Sequence, residues 1–226
     1  SPGDSPGMSA GVTTAGAKGG AVMVELKVDE VVYPGKGLAR LDGMAVFLPG
    51  VMKGERVRAR IVRQTRTFAE AHPLQLLAPS PSRIEGECPL ALQPGADGSF
   101  PETAYCPGCC YRHMPYEDEI RTKQDQFTNF LSHQARLDGH SCLPPVPSPA
   151  RNGYRNKIVL HALPNDPSCA LGYFGPDNRS IIDVPACPLA ADSINTYLAT
   201  IRKNANLADG LSQPLTLTLR SVRGRE

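Results

Sequence analysis

Val22, Val24, Leu26 and Val28 alternate with Met23, Glu25 and Lys27, the two-residue period of a strand with one buried face. Turn pairs recur behind this run: Pro34-Gly35, Asp42-Gly43, Pro49-Gly50 and Lys53-Gly54, each a point where the chain can reverse. Between the turns lie short β-type runs, Ala45 to Leu48 and Val57 to Val62. Short strands at this spacing predict a small β-barrel over residues 21–78. The pattern then dissolves into a Pro- and Gly-rich stretch, residues 79–112.

Helical spacing follows. A helix is expected from about Glu117 to Leu137, with Ile120, Phe127 and Leu131 on one face, Gln124 interrupting that stripe, and Gly139 beyond its end. Leu143 to Pro149 reads as a stiff, Pro-rich linker. A second β region begins at Tyr154, with strands expected around Ile158 and Leu160, Leu171 to Phe174, and Ile181 to Val184. Ile194, Tyr197, Leu198, Ile201 and Ala205 then fall on one helical face, with Asp192 or Ser193 as cap and Gly210 past the end. Leu215, Leu217 and Leu219 alternate with Thr216, Thr218 and Arg220 and run into Arg223-Gly224-Arg225. Such a strand wants a partner, so the sequence reads as a piece of a longer protein.

Composition narrows the classes. The chain has 226 residues, 41% of them hydrophobic, enough for one large or two small domains. No run of 18 apolar residues occurs, so no membrane-spanning helix is expected. Residues 1–20 are Ser, Gly, Pro and Ala in the main, without an apolar core of signal-peptide type, and read as a disordered tail. The default is a cytoplasmic, monomeric protein. Seven cysteines in a reducing compartment point to metal binding or burial rather than disulfides.

Cys106-Pro107-Gly108-Cys109 is a CxxC, which lets two thiolates reach one metal from a tight turn. Cys88 is followed by Pro89 and Cys187 by Pro188, placing both where the chain leaves regular structure. Four thiolates can complete a 4Fe–4S cluster or a tetrahedral zinc site. Spacing leaves open unrelated buried cysteines and a thioredoxin-like redox pair, although no strand precedes this CxxC and no βαβ unit surrounds it. Cys110, Cys142 and Cys169 lack partners at ligand spacing.

The net charge is only +2, so nucleic-acid binding has to be argued locally. Lys53, Arg56, Arg58, Arg60, Arg63 and Arg66 stand against one acid, Glu55. Arg56, Arg58 and Arg60 alternate with Val57, Ala59 and Ile61, which on a strand puts three guanidinium groups on one face. A solvated strand face would give the same pattern. Aromatics are 6% of residues and Trp is absent, so base stacking would fall to residues such as Phe47, Phe68, Tyr111 or Phe174.

Several blocks match a known pattern. Cys106 to Tyr116, leading to Lys123-Gln124, resembles the cluster-binding loop of the TRAM-domain 23S rRNA uracil-5 methyltransferases. So do Gly153-Tyr154-Arg155-Asn156-Lys157, Leu171-Gly172-Tyr173-Phe174 and Ile182 to Leu189. Gly35 to Arg40, Phe47 to Gly50 and Gly54 to Val57 look like a TRAM domain.

The resemblance implies a mixed β/α fold. An OB-like TRAM β-barrel would be followed by an α+β central domain, residues 79–226, with an iron–sulfur cluster, and the Rossmann-like methyltransferase domain would be absent from this chain. It implies 4Fe–4S ligation by Cys88, Cys106, Cys109 and Cys187. RNA, 23S rRNA first, would be held by Lys53, Arg56, Arg58, Arg60, Arg63, Arg155 and Lys157. S-adenosylmethionine would bind the intact enzyme only, since no glycine-rich cofactor loop and no catalytic residue is identified here. The gap between Cys88 and Cys106 is longer than the family's, which a loop tolerates at little entropic cost. A zinc- or cluster-binding stand-alone RNA module and a tRNA-directed uracil-5 methyltransferase are the alternatives.

Overall fold

The computed structural model describes residues 22–137, 142–164, 170–204 and 211–222. The expected tail, Gly139, Cys169, Ala205, Gly210 and Arg223-Gly224-Arg225 lie outside the described residues. The chain divides into two compact units.

The first unit takes residues up to 84, with 93–102 and 113–141. Its strands are β1 (Met23–Val32), β2 (Lys36–Leu41), β3 (Met44–Pro49), β4 (Arg56–Gln64) and β5 (Phe68–Ala78). They close into a barrel in the order β1-β2-β3-β5-β4. Neighbours are antiparallel except β3 and β5, which run parallel. The alternation read in the sequence becomes the barrel core: Val24, Leu26, Val28, Ala39, Val46, Leu48, Val57 and Ala59 are buried. Each buried Val or Leu contributes about 1.5–3 kcal/mol. Asp42 and Gly43, at φ 48° and 83°, form the two-residue turn between β2 and β3, the chemistry a tight hairpin requires.

Helix α1 (Tyr116–His133) belongs to this unit. Glu117, Asp118 and Glu119 favour its start through the helix dipole, and Lys123 bonds Glu119 one turn back at 2.6 Å. The expected apolar face does not hold: no residue of α1 is buried, and Phe127 is 55% exposed. The barrel seals its own core. It meets the helix through a polar contact, with Gln126 Nε2 donating to the Val31 carbonyl at 2.8 Å.

The second unit takes residues 85–92, 103–112 and 142–226. Strands β6 (Lys157–Ala162), β7 (Gly172–Phe174), β8 (Ile181–Asp183) and β9 (Leu215–Arg220) form an antiparallel sheet in the order β8-β7-β6-β9. The final strand therefore has a partner within the chain: β9 pairs with β6 from Lys157↔Arg220 to Ala162↔Leu215. Helix α2 (Asp192–Asn204) buries Ile194 and Leu198 and leaves Tyr197 61% exposed. These two residues join Ile158, Leu160, Leu171, Val184, Leu189 and Leu219 in one core. Among the described residues no helix is long and apolar enough to cross a membrane.

Candidate thiolate centre and nucleic-acid interface

Cys88, Cys106, Cys109 and Cys187 all fall in the second unit. Two of them sit in the same local structure. Cys88-Pro89-Leu90-Ala91 and Cys187-Pro188-Leu189-Ala190 repeat one tetrapeptide. Each closes as a turn: Ala91 N–H donates to the Cys88 carbonyl at 3.1 Å, and Ala190 N–H to the Cys187 carbonyl at 3.0 Å. Proline suits the second position of such a turn because its φ is already set. The third residue of each turn then accepts from a neighbouring segment. Leu90 carbonyl takes the Cys106 N–H at 2.6 Å, and Leu189 carbonyl takes the Arg155 N–H at 2.8 Å. The first of these bonds ties the Cys88 turn to the CxxC.

The four sulfurs share a neighbourhood. Burial pushes the Cys106 thiol up; the Gly108 N–H pulls against this, and Cys88 and Cys187 push it further. Burial raises Cys109 to about 11, with Cys106, Cys88 and Cys187 adding to the rise and Arg112 opposing it. Cys88 and Cys187 are buried, and Cys187 and Cys109 pack with Tyr173 against the unit's core. The Cys110 thiol faces the Pro107 carbonyl at 3.7 Å.

Around the sulfurs stand cations and donors. Arg155 lies beside Tyr154, Cys187 and Tyr173. Arg112, nearly buried, donates to the Arg151 carbonyl at 3.1 Å and faces Glu87 at 3.6 Å. The Tyr173 hydroxyl is buried with no well-aligned partner, yet it lies against Cys187. Among the described residues, no three His, Cys, Asp or Glu side chains are disposed to hold a single metal ion. The chemistry of the donor set is that of a thiolate-bound group: four sulfurs, two guanidinium groups to offset negative charge, and the Tyr173 hydroxyl beside Cys187.

The basic stripe lies on the outside of the barrel. Arg56 and Arg58 are exposed and Arg60 is half-buried. Glu25 bridges the first two, at 3.6 Å from Arg56 and 3.3 Å from Arg58, and Glu102 holds Arg60 at 2.6 Å. Arg63 approaches Glu70 at 3.7 Å and lies over the Phe68 ring at 5.8 Å. The β1–β4 register adds a residue not singled out from sequence: exposed Lys27 stands directly opposite Arg56. Its signal was the outward phase of β1. Among these residues five cations stand against three acids, which leaves an excess of positive charge. Lys53 is exposed in the turn before β4. In the second unit, exposed Lys157 stands opposite Arg220 across the β6–β9 pair. Arg155, also expected at RNA, is half-buried and lies beside the Cys187 thiol.

Glu55, the one acid in the basic run, is fully buried. Arg83 grips both its oxygens, Nε to Oε1 at 2.6 Å and Nη2 to Oε2 at 2.7 Å. The N–H groups of Met52 and Ser80 complete the carboxylate at 2.8 and 3.1 Å. His113 packs nearby and is buried. Burial lowers its pKa to about 4, and the Arg83 charge adds to the drop.

Residues 23–74 match the TRAM domain family. An uncharacterized RNA methyltransferase of Synechocystis is 28% identical over 186 residues, which is 80% of this chain and 37% of that relative. A 23S rRNA (uracil(1939)-C(5))-methyltransferase, RlmD, of Legionella pneumophila is 30% identical over 180 residues, 78% of this chain and 38% of the relative. The crystal structure of the Pyrococcus abyssi tRNA (uracil-54, C5)-methyltransferase in complex with S-adenosyl-L-homocysteine aligns over 84% of this chain and 42% of that one, with TM-score 0.50 and 19% identity. The chain thus spans less than half the length of the relatives it matches.

These likenesses correct the expected fold class. The sequence suggested a barrel and an iron–sulfur domain standing apart from any methyltransferase fold. Instead, 84% of the chain follows the fold of a methyltransferase chain, and the described core of the second unit is built from its sheet and helix α2. The chain combines a TRAM-matching barrel with a sheet-and-helix unit, and over most of its length it is similar to RNA methyltransferases.

Proposed function

We propose that this chain is the RNA-holding portion of an S-adenosylmethionine-dependent RNA uracil-5 methyltransferase acting on 23S rRNA in the cytoplasm. The observation that carries this reading is the 30% identity to the Legionella 23S rRNA enzyme over 78% of the chain. The barrel supports it physically. Lys27, Arg56, Arg58 and Arg60 line one outer face, where they can neutralise phosphates and release counterions. Phosphate contacts of this kind position an RNA without reading its sequence. Choice of the uridine then falls to other contacts of the whole enzyme.

The cysteines of the second unit form, in this reading, a thiolate centre with Cys88, Cys106, Cys109 and Cys187 as ligands. A 4Fe–4S cluster is the group we assign, on the likeness of the Cys106–Tyr116 loop to cluster-binding loops and on the mutual influence of the four thiols; four thiolates could equally hold zinc. The cluster would supply a structural staple, with Arg112 and Arg155 offsetting its charge. Nothing in uracil methylation calls for electron flow through it.

The test uses the whole protein that contains this chain. It is incubated with labelled S-adenosylmethionine and unmodified 23S rRNA or tRNA transcripts, and the products are digested to nucleosides. 5-Methyluridine in the rRNA is the expected result. Label in tRNA alone overturns the substrate, and label in neither overturns the activity. Anaerobically purified protein should be brown with broad absorption near 400 nm, about where thiolate-bound iron–sulfur clusters absorb; a colourless, zinc-containing protein overturns the cluster.

A further inference from the structure

Cys187 is held by more than its own turn. Its N–H donates to Asn195 Oδ1 at 2.9 Å, and Asn195 Nδ2 donates to the Cys187 carbonyl at 3.0 Å. One side chain therefore pairs with both backbone groups of the cysteine. A primary amide suits this task, since it offers an acceptor and a donor side by side. Asn195 follows Ile194, which is anchored in the core, in the first turns of α2. Its own N–H is bound to the Ala191 carbonyl at 3.2 Å. The amide is thus fixed to a rigid element, and it fixes the cysteine.

The sulfur end has a neighbour as well. Tyr173, on β7, packs with Cys187 against the same core. Its hydroxyl is buried without a well-aligned partner. A thiol sulfur is a weak acceptor. A metal-bound thiolate carries charge and accepts far better. The Tyr173 hydroxyl lies against Cys187, so a charged sulfur there would give it a full acceptor.

We propose that Asn195 and Tyr173 are positioning residues for Cys187 as a metal ligand, Asn195 fixing its backbone and Tyr173 donating a hydrogen bond to the bound sulfur. This inference rests on the thiolate-centre reading above. The two residues do different work. Asn195 governs how readily the ligand lets go. Tyr173 governs the electron density on the sulfur, and through it the reduction potential of the group the sulfur binds.

The experiment uses the 226-residue chain, reconstituted without oxygen with ferrous iron and sulfide. Wild type is compared with Asn195→Ala, Tyr173→Phe and Asn204→Ala. The last removes an amide from the far end of α2, where it bonds the Thr200 carbonyl. Iron content, iron release to a chelator, midpoint potential and thermal unfolding are measured. Asn195→Ala should hold iron about 10- to 100-fold more weakly, the cost of losing a ligand-orienting partner, and so lose it faster to the chelator, while Asn204→Ala releases it at the wild-type rate. Tyr173→Phe should keep its iron and shift the midpoint to more negative potential, because the lost bond favoured the more negatively charged reduced state. A merely structural Tyr173 would change the unfolding temperature and leave the potential in place. A wild-type release rate in Asn195→Ala, or a wild-type potential in Tyr173→Phe, overturns that residue's role. A wild-type chain that takes up no iron overturns the thiolate-centre reading and this inference together. Iron in the wild type with unchanged variants overturns this inference alone.

Discussion

Replacing Glu55 by Ala tests how the barrel is closed. The carboxylate is fully buried and accepts four hydrogen bonds, two from Arg83 and one each from the Met52 and Ser80 N–H groups. Truncation strands the Arg83 charge, whose side chain is only 9% exposed. Removing one partner of such a pair costs about 3–5 kcal/mol. The two orphaned N–H groups could add about 1–3 kcal/mol each, though water entering the vacated space would satisfy part of this. A loss of about 4 kcal/mol is expected. With a urea slope of about 2 kcal/mol/M, the midpoint falls by about 2 M. Urea titration followed by far-UV circular dichroism measures it. Arg83→Met beside the same Ala change completes a double-mutant cycle, and the pair should show strong coupling. A midpoint shift worth less than about 1 kcal/mol, the range of an exposed pair, would refute the argument.

Three further outcomes follow from the same geometry. His113 is held neutral, with its pKa lowered to about 4 from 6.5 by burial and then by the Arg83 charge. The unfolded chain binds this proton more readily, so its contribution is fully present above about pH 6.5 and fades as pH falls toward 4; His113→Gln should remove about 3 kcal/mol of acid sensitivity from the urea-derived stability curve. Gly172→Ala places a Cβ 1.7 Å from the Ile182 carbonyl oxygen, so β7 and β8 must part, and calorimetry should register a loss of about 3 kcal/mol or more. Lys27→Ala and Arg58→Ala should each weaken RNA binding and lower the slope of log affinity against log salt by about 0.7–0.9, read by filter binding across a salt series; an unchanged slope removes that residue from the phosphate-contacting face.

The barrel was legible because its signals were local. Alternation at Val24, Leu26 and Val28 and the Asp42-Gly43 turn each act within a few residues, and both appear in the structure as read. Helix α1 was legible as a helix but not in its packing. A helical stripe says which residues share a face, and it is silent on whether another surface needs covering. β9 failed for the opposite reason. Its partner, β6, lies more than fifty residues back, and long-range pairing leaves no mark in either strand alone. Glu55 reads in sequence as one acid diluting a basic run, and only Arg83, brought from beyond β5, makes it a buried ion pair. The prolines and the CxxC singled out Cys88, Cys106, Cys109 and Cys187, whose thiols influence one another in the structure. Asn195 was not, because an amide eight residues past a cysteine on a helix has no distinctive spacing.

The long gap between Cys88 and Cys106 was expected to be a tolerated loop, yet most of it is built structure. Residues 93–102 belong to the barrel unit. Gly98 carbonyl accepts the Leu76 N–H at 2.8 Å, Phe100 N–H donates to the Leu74 carbonyl at 2.9 Å, and Gln75 reaches the Asp97 carbonyl at 3.0 Å. The insert therefore runs along β5 and places Phe100 in a buried site, 5% exposed. Gly98 has φ 81°, and a Cβ there would meet the Leu76 carbonyl at 2.9 Å, so the turn depends on glycine. The Cys88 turn and its bond to Cys106 use none of these residues. Phe100→Ala should accordingly lower the stability of the barrel by about 3 kcal/mol and, on the proposed thiolate centre, leave iron uptake at the wild-type level. Urea unfolding gives the first quantity and iron analysis after reconstitution the second. Lost iron uptake with an unshifted urea midpoint would mean that the insert serves the cysteines rather than the barrel.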